Sequence, residues 1–412
     1  MLIKIKDFRL FSPKGFVSGW LRQIFTYNQA PSEMLKPGQK YLLILLLLVI
    51  TRLLVFSGYE YRQAGWLHAD ADGYVASAQY IERHGQLMSE NIQLNRQFAG
   101  LSLLMIPVDF IIKNTMVAGC IVVAMSVVGV LFLTQYLFED LSLTCISTVF
   151  MPYWVATTAC VMSEAPTIFC FLLGLLAWRK IDPATPWFWL LIFVSGYSGV
   201  LRQTALFSLF PFLAVYALGR FRGDLRWVGA ILLTASLPIL VYLSWNWLTI
   251  HQLFPQYGPQ VGFMNILVDA TPHPERYHRV LLDQPFYSMW AGLTDPSQNL
   301  FKKAFVISTT IVACGALLLL FLRARNSVGE DALMAWAFFA ALVGHVAFHV
   351  CVGGIFGFSG WDRYVSQLNP VICWALFYRV SLRWHWIALL GLLSMLAAIN
   401  VGAGYNNFVI HK

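Results

Sequence analysis

Charged residues are scarce in this chain of 412 residues: only 12% are Asp, Glu, Lys or Arg, whereas 58% are hydrophobic. Because a soluble protein carries roughly 25% charged residues, this composition excludes a soluble domain of this size. Several hydrophobic runs approach the roughly 20 residues that cross a hydrocarbon core. Since unpaired backbone groups are costly in lipid, the composition predicts an all-α polytopic membrane protein.

Several signatures of other protein classes are missing. The seven cysteines form no C-x-x-C pair, which argues against a zinc site or a disulfide framework and predicts buried apolar thiols. His345 and His349 have a helical i, i+4 spacing, but no H-E-x-x-H motif accompanies them, so we expect polar contacts rather than a metal. No small-residue cleavage site follows the first long apolar run, and a cleavable signal is therefore not predicted.

The hydrophobic runs predict about 11 transmembrane helices, within a range of about 10–13. The predicted spans are 41–56, 116–138, 143–161, 166–178, 187–201, 204–218, 227–247, 304–322, 332–350, 364–377 and 384–401. The segment 98–112 is short and is interrupted by Pro107 and Asp109. We therefore expect it to be re-entrant or juxtamembrane, with both ends on the outer side.

The net charge of +8 lies mainly in short links, at 179–180, 220–226, 323–325 and 379–383. The positive-inside bias predicts that these links are cytoplasmic, and nucleic-acid binding is not expected. The predicted organisation is a cytoplasmic segment 1–40, a single transmembrane domain 41–404 and a tail 405–412. The outer loops are then 58–100, 250–302 and 351–363.

Asp70 and Asp72 lie in the first outer loop, where carboxylates are otherwise few. A helix is predicted from Tyr74 to His84, with Gly85 as its stop. Asp72 stands at the N-cap position of that helix, which gives it a structural explanation. Asp70 is too early to cap and is a candidate general base. Coordination of a divalent ion by the D-x-D pair is a third possibility.

The other outer-face charges each have a structural and a functional interpretation. Glu164 is either an exposed interfacial acid in a first helical turn or a ligand for a sugar hydroxyl. Arg202 must snorkel or pair. Arg363 either pairs locally with Asp362 or contacts a phosphate. Arg52 either snorkels outward or meets an anionic lipid headgroup.

The order of these features resembles the GT-C superfamily of membrane glycosyltransferases, which use polyprenyl-phosphate-linked sugars. After Arg52 come Asp70-Ala-Asp-Gly-Tyr74 and Arg96-Gln-Phe98-Ala-Gly100-Leu-Ser-Leu103, similar to the family's R-x-F-P-G-x-P-L. Met162-Ser-Glu164-Ala-Pro166, Leu201-Arg202-Gln-Thr-Ala205 and Asp362-Arg363-Tyr364 with Pro370 look like its later motifs. The sequence departs from the family at Ala99, Ser102 and Gln203, where prolines are usual.

The resemblance implies an inverting transfer of a sugar to an acceptor hydroxyl at the outer face. Asp70 would be the base and Asp72 would assist, while Arg363, Arg202 and Arg52 would stabilise the lipid phosphate that leaves. The expected substrate-binding residues are His68, Tyr74, Arg96, Glu164, Tyr364 and His273. Such enzymes generally need no metal cofactor, and mannose is the sugar that the commonest relatives suggest.

The expected partners are the polyprenyl-phosphate sugar, membrane lipid, and a glycan, lipid or protein acceptor. The expected location is a bacterial inner membrane, with the long aromatic loop 250–302, which contains His273, covering the acceptor. One alternative is a transporter or lipid flippase, which should place ionisable residues at mid-membrane, often with inverted repeats. The other is a non-catalytic membrane subunit.

Overall fold

The computed structural model describes residues 69–85, 98–150, 160–251, 300–351 and 368–378, together with residue 158 and a few positions between 36 and 50. Every regular element within these residues is a helix, which confirms the predicted all-α class. The helices are α1 (Ala69–His84), α2 (Gly100–Ile112), α3 (Thr115–Phe138), α4 (Leu141–Cys145), α5 (Glu164–Lys180), α6 (Pro186–Gly196), α7 (Ser198–Leu201), α8 (Gln203–Arg220), α9 (Leu225–Ile250), α10 (Leu300–Asn326), α11 (Gly329–Cys351) and α12 (Asn369–Phe377). A π-helical turn, Ile146–Phe150, follows α4.

Among the residues that the structure describes, three helical segments are long and apolar enough to cross a membrane: Thr115–Phe138, Leu225–Thr249 and Gly329–Phe348. They support the predicted membrane character by length and composition. Pro186–Leu201 and Thr204–Arg220 are shorter apolar stretches, and both coincide with predicted spans. The total of about 11 crossings stays a prediction based on hydrophobic run length.

Helix α1 confirms the helix that was predicted after Asp72. It buries Tyr74, Ala78 and Ile81 on one face, and Gly85 ends it with a φ of 65°. The helix begins earlier than expected, at Ala69.

Of the predicted cytoplasmic links, the structure describes 179–180, 220–226 and 323–325, and these three lie together at one end of the helix bundle. Lys180 Nζ, at the end of α5, is 3.7 Å from Glu139 Oε1, between α3 and α4. Arg179 Nε is 3.6 Å from Glu330 Oε1, at the start of α11. We call this the basic end.

Arginines at the basic end also donate hydrogen bonds to carbonyl groups in the last turn of a neighbouring helix. Arg179 donates to Leu137, Arg220 to Trp178 and Arg323 to Trp374. Their positive charge is favourable beside these helix C-termini. The arginines that the sequence assigns to one side of a membrane therefore also join the helices there.

Aromatic packing holds α5 and α8 side by side. The rings of Phe171 and Phe212 are 4.9 Å apart, and those of Trp178 and Tyr216 are 5.1 Å apart and stacked. These contacts advance along both helices in the same direction, so the helices run parallel. Their first turns, which start at Glu164 and just after Arg202, are consequently neighbours at the end opposite the basic end.

Helix α2 is too short to cross a membrane. Its 13 residues span about 20 Å at 1.5 Å per residue, less than the roughly 30 Å of a hydrocarbon core. The helix continues through Pro107 and Asp109, the two residues that interrupt the apolar run of this segment. It begins beside Val200 and ends at Lys113, which has a φ of 57° and leads directly into α3.

Candidate functional site

A buried ion pair lies where the first turns of α5 and α8 meet. Arg202 Nη1 is 2.6 Å from Glu164 Oε1, and the two side chains are 10% and 0% exposed. Glu164 is therefore not the exposed interfacial acid of the structural interpretation. A carboxylate without solvent is stable there because a guanidinium compensates its charge.

The local backbone explains how Arg202 reaches this position. It stands between α7 and α8 with an extended backbone, φ −153° and ψ 125°, and is the N-cap residue of α8. Because the helix is broken here, the Arg202 side chain does not follow the helical spacing of α8 and points towards α5. Glu164 is the first residue of α5, where the helix dipole favours a negative charge.

Ser163 connects the ion pair to α1. Tyr74 Oη donates to Ser163 Oγ at 2.8 Å, and Arg202 Nη1 approaches the same oxygen at 3.4 Å. Tyr74 and Ser163 are both buried. The structure thus brings together three predicted site residues, Tyr74, Glu164 and Arg202, through a serine that sequence reasoning did not select. Its position directly before the acid at a helix start was the available signal.

Helix α2 holds α1 in place through hydrogen bonds next to this network. Ser102 Oγ donates to the backbone carbonyl of Tyr74 at 2.8 Å, and Tyr197 Oη donates to the carbonyl of Gly100 at 2.8 Å. A Cβ atom on Gly100 would collide with the backbone at Val200. The position of Arg202 is therefore linked to that of Tyr74 through α7 and α2.

Two departures from the GT-C motif have a role in these contacts. The backbone N–H of Ala99 donates to Tyr242 Oη at 3.4 Å, and Ser102 donates through its hydroxyl. Proline has no backbone N–H and no side-chain hydroxyl, so it could donate neither of these hydrogen bonds. The backbone remains helical from Gly100 onward, so the substitutions leave the helix intact and add polar contacts.

Asp70 and Asp72 lie within the first turn of α1. The prediction that Asp72 is an N-cap is wrong, because α1 begins at Ala69 and Asp72 is its fourth residue. The alternating Ala69 and Ala71 favour a helix, so the first turn forms before Gly73. Asp70 is one helical turn before Tyr74, at the N-terminal end, where the helix dipole favours a carboxylate.

The structure bears on two predictions, the polar contact of His345 and the buried thiols. Ser208 Oγ lies 3.1 Å from His345 Nδ1 in a buried contact, as the polar interpretation predicts. Within the described residues, no group of three or more His, Cys, Asp or Glu is placed to hold a metal ion. Cys145, Cys170 and Cys373 are buried, but Cys314 is exposed, because its position on α10 faces away from the other helices.

The remaining predicted site residues lie outside the residues that the structure describes. They are Arg52, His68, Arg96, His273, Arg363 and Tyr364. The loops 252–299 and 352–367, the last predicted span and the tail 405–412 also lie outside the described residues, as does nearly all of 1–40. Comparisons of the chain with protein-family models, curated proteins and solved structures find no match.

Proposed function

We propose that the chain is an inverting glycosyltransferase that moves a sugar from a polyprenyl-phosphate donor to an acceptor hydroxyl at the outer face of a membrane. The supporting observation is the contact between Tyr74, Ser163 and the Glu164–Arg202 pair. Three segments far apart in the sequence supply these residues. All three segments were selected by the order of motifs that resembles the GT-C superfamily.

Each residue has a defined role in the proposed reaction. Asp70 accepts the proton of the acceptor hydroxyl as its oxygen attacks the anomeric carbon, and Asp72 orients the acceptor. The bond from that carbon to the phosphate oxygen breaks, and the lipid phosphate leaves with additional negative charge. Arg363 and Arg52 stabilise this charge, and the reaction requires no metal ion.

Arg202 has a more restricted role in this scheme. Its charge is already compensated by Glu164 at 2.6 Å, so it adds less net positive charge than an unpaired arginine would. A guanidinium has five N–H donors in a fixed plane, and Glu164 and Ser163 both engage Nη1. The pair therefore fixes the orientation of the Arg202 guanidinium, and we assign Arg202 to positioning within the site.

The place of the ion pair favours this proposal over a transporter. Transporters typically hold their coupling charges near the membrane midplane. Glu164 is the first residue of α5 and Arg202 precedes the first residue of α8. The pair thus lies at helix ends, where an enzyme acting at a membrane surface would hold its substrate.

The test uses the purified full chain, reconstituted with a panel of polyprenyl-phosphate sugars and acceptors. We expect sugar transfer by the wild type, with inversion at the anomeric carbon, and its loss in Asp70→Asn. Since general base catalysis contributes about 100- to 10,000-fold, the variant should be slower by at least about 100-fold. Asp182→Asn, in an exposed link at the basic end, is the matched control and should retain full activity.

Two results contradict different parts of the proposal. Full activity of Asp70→Asn would show that Asp70 is not the base, and the proposed glycosyltransferase activity would still stand. Absence of transfer by wild type from every donor in the panel, together with lipid translocation in the same vesicles, assigns the chain to the flippase class.

A further inference from the structure

A cavity of about 480 Å³ opens between the C-terminal parts of α1 and α2. The residues lining it are Glu82, Ile106, Asp109, Phe110 and Lys113. None of them belongs to the network around Ser163. Glu82 follows Tyr74 by eight residues on α1, which corresponds to about 12 Å along the helix axis.

Asp109 is a buried carboxylate with one unused oxygen. It is 7% exposed, and Thr115 Oγ1 donates to its Oδ2 at 2.7 Å. Its Oδ1 receives no hydrogen bond from any residue that the structure describes. Because buried acceptors are nearly always satisfied, this oxygen can accept a further hydrogen bond.

Glu82 is a second acceptor at the same place. Its carboxyl group lies within hydrogen-bonding reach of Asp109, and partial desolvation, followed by the neighbouring Asp109, raises the pKa of Glu82. Two adjacent carboxylates repel each other unless a proton or a donor lies between them. A hydroxyl group that donates to the ionised Asp109 and accepts from a protonated Glu82 would relieve this repulsion.

The remaining lining residues add a donor and an apolar surface. Lys113 Nζ lies 4.2 Å from the centre of the Phe110 ring, and the Phe110 side chain is 73% exposed. The positive charge of Lys113 opposes binding of a second cation. It favours instead a neutral ligand that accepts as well as donates hydrogen bonds, and Ile106 and Phe110 can pack against the ligand's C–H groups.

We propose that this cavity is a carbohydrate subsite, which binds the hydroxyl-rich part of the acceptor through Glu82, Asp109 and Lys113. The proposal rests on the proposed glycosyltransferase activity, which it extends by naming the acceptor as a glycan. Helices α1 and α2 run parallel, because Tyr74 and then Glu82 of α1 meet Ser102 and then Asp109 of α2. One pair of helices therefore carries both the subsite and, at its other end, Asp70 and Asp72.

The direct test measures sugar binding without catalysis. Saturation-transfer NMR is recorded for the full chain in nanodiscs with methyl glycosides of mannose, glucose, galactose and N-acetylglucosamine. We expect transfer to at least one glycoside, and its loss in Glu82→Gln and in Lys113→Met. Arg83→Gln changes the exposed neighbour of Glu82, which does not line the cavity, and should retain the signal.

A second measurement uses acceptor kinetics. In Glu82→Gln and Lys113→Met we expect the KM for a glycan acceptor to rise by about tenfold, as for loss of a hydrogen bond to a charged group, with the kcat and the donor KM unchanged. No saturation transfer to any glycoside, or equal signals in wild type and Glu82→Gln, overturns the subsite. Binding that depends on Glu82 in a protein without transferase activity supports the subsite and rejects the activity.

Discussion

The phenol oxygen of Tyr74 lies 2.8 Å from Ser163 Oγ, although 89 positions separate the two residues in the sequence. This hydrogen bond attaches α1, which begins with the segment of Asp70 and Asp72, to the residue that precedes Glu164. The distance between the candidate base and the buried ion pair is therefore fixed by one buried contact rather than by a flexible outer loop.

Removal of this contact should affect activity more than stability. In Tyr74→Phe the ring remains and only the hydroxyl donor is lost, which costs about 1 kcal/mol of unfolding free energy. We expect transfer to be about tenfold slower or more, since displacement of a catalytic group by about 1 Å costs up to about 100-fold. The measurements are thermal unfolding in detergent and the initial rate of sugar transfer.

Tyr80→Phe is the matched control for this variant. Tyr80 is on the same helix, only partly buried, and stacks on His84, away from Ser163. Equal rates in Tyr74→Phe and Tyr80→Phe would show that the Tyr74 hydroxyl does not position the base.

The Glu164–Arg202 pair predicts a strong dependence of stability on both partners. Glu164→Gln removes the carboxylate and leaves Arg202 in its buried site, which should cost roughly 3–5 kcal/mol of unfolding free energy. The double variant Glu164→Gln with Arg202→Met removes both charges and should recover most of that loss, but not the activity. Differential scanning fluorimetry and the transfer assay on the same samples separate these effects.

A more exposed ion pair in the same chain provides the comparison. Arg179 and Glu330 are 21% and 56% exposed, so Glu330→Gln should cost less than about 1 kcal/mol. If Glu164→Gln and Glu330→Gln lower the free energy of unfolding equally, the buried pair does not stabilise the fold more than the exposed pair does.

The sequence predicts the fold more completely than the site, for a physical reason. A membrane helix is specified locally by its run of apolar residues, and the predicted span 116–138 differs from Thr115–Phe138 by one residue. The sequence predicts Asp72 as a cap because it stands just before the helix predicted from Tyr74, whereas that helix begins at Ala69. Local propensity thus predicted that the helix exists but not where it starts.

The pairing of Glu164 with Arg202 was not predictable in the same way. Each residue lies at the start of a different helix, and their contact depends on the parallel packing of α5 and α8 through Trp178 and Tyr216. The sequence indicated that Arg202 must snorkel or pair, whereas Glu164 was interpreted as an exposed acid or a sugar ligand. The contacts of Ser163 with Tyr74 and Arg202 likewise depend on tertiary geometry that no local pattern encodes.

Substitution of Gly100 should destabilise the protein, because two stretches of backbone pack closely there. A Cβ atom there would collide with the carbonyl of Val200, so Gly100→Ala should lower the free energy of unfolding by about 1–3 kcal/mol. Gly229→Ala is the control, because nothing lies within 4 Å of its Cβ position on α9, and it should be neutral or stabilising by up to about 1 kcal/mol. Chemical unfolding in mixed micelles measures both; equal stability of the two variants would contradict the close approach of α2 to α7.

The carboxyl group of Asp140 should make the protein less stable as the pH rises. It caps α4 by accepting from the Leu143 N–H at 3.0 Å, but burial raises the pKa of its carboxyl group from the ordinary value of 3.8. Between 3.8 and the higher native pKa, the unfolded chain has lost a proton that the folded protein keeps. Unfolding therefore becomes easier with rising pH across that interval.

Asp140→Asn keeps the capping oxygen and removes the ionisation. Its stability relative to wild type should therefore increase from about pH 4 upward, while Asp140→Ala loses the cap, at a cost of about 1 kcal/mol. Thermal unfolding at a series of pH values, from about pH 4 to about pH 8, measures both. A wild type and an Asp140→Asn variant with parallel pH profiles would show that the carboxyl group of Asp140 does not cause the dependence.

The collection of arginines at the basic end predicts which end of the helix bundle faces the cytoplasm. Ala184 lies exposed in the link between α5 and α6, and Arg83 lies exposed at the end of α1. A membrane-impermeant maleimide should label Arg83→Cys in intact cells and label Ala184→Cys only after permeabilisation, because short basic links are retained inside. Wild-type protein measures the background of the native cysteines. The reverse pattern would place the Glu164–Arg202 pair on the cytoplasmic side, where an outer-face acceptor cannot reach it, so this labelling tests the proposed reaction independently of any substrate.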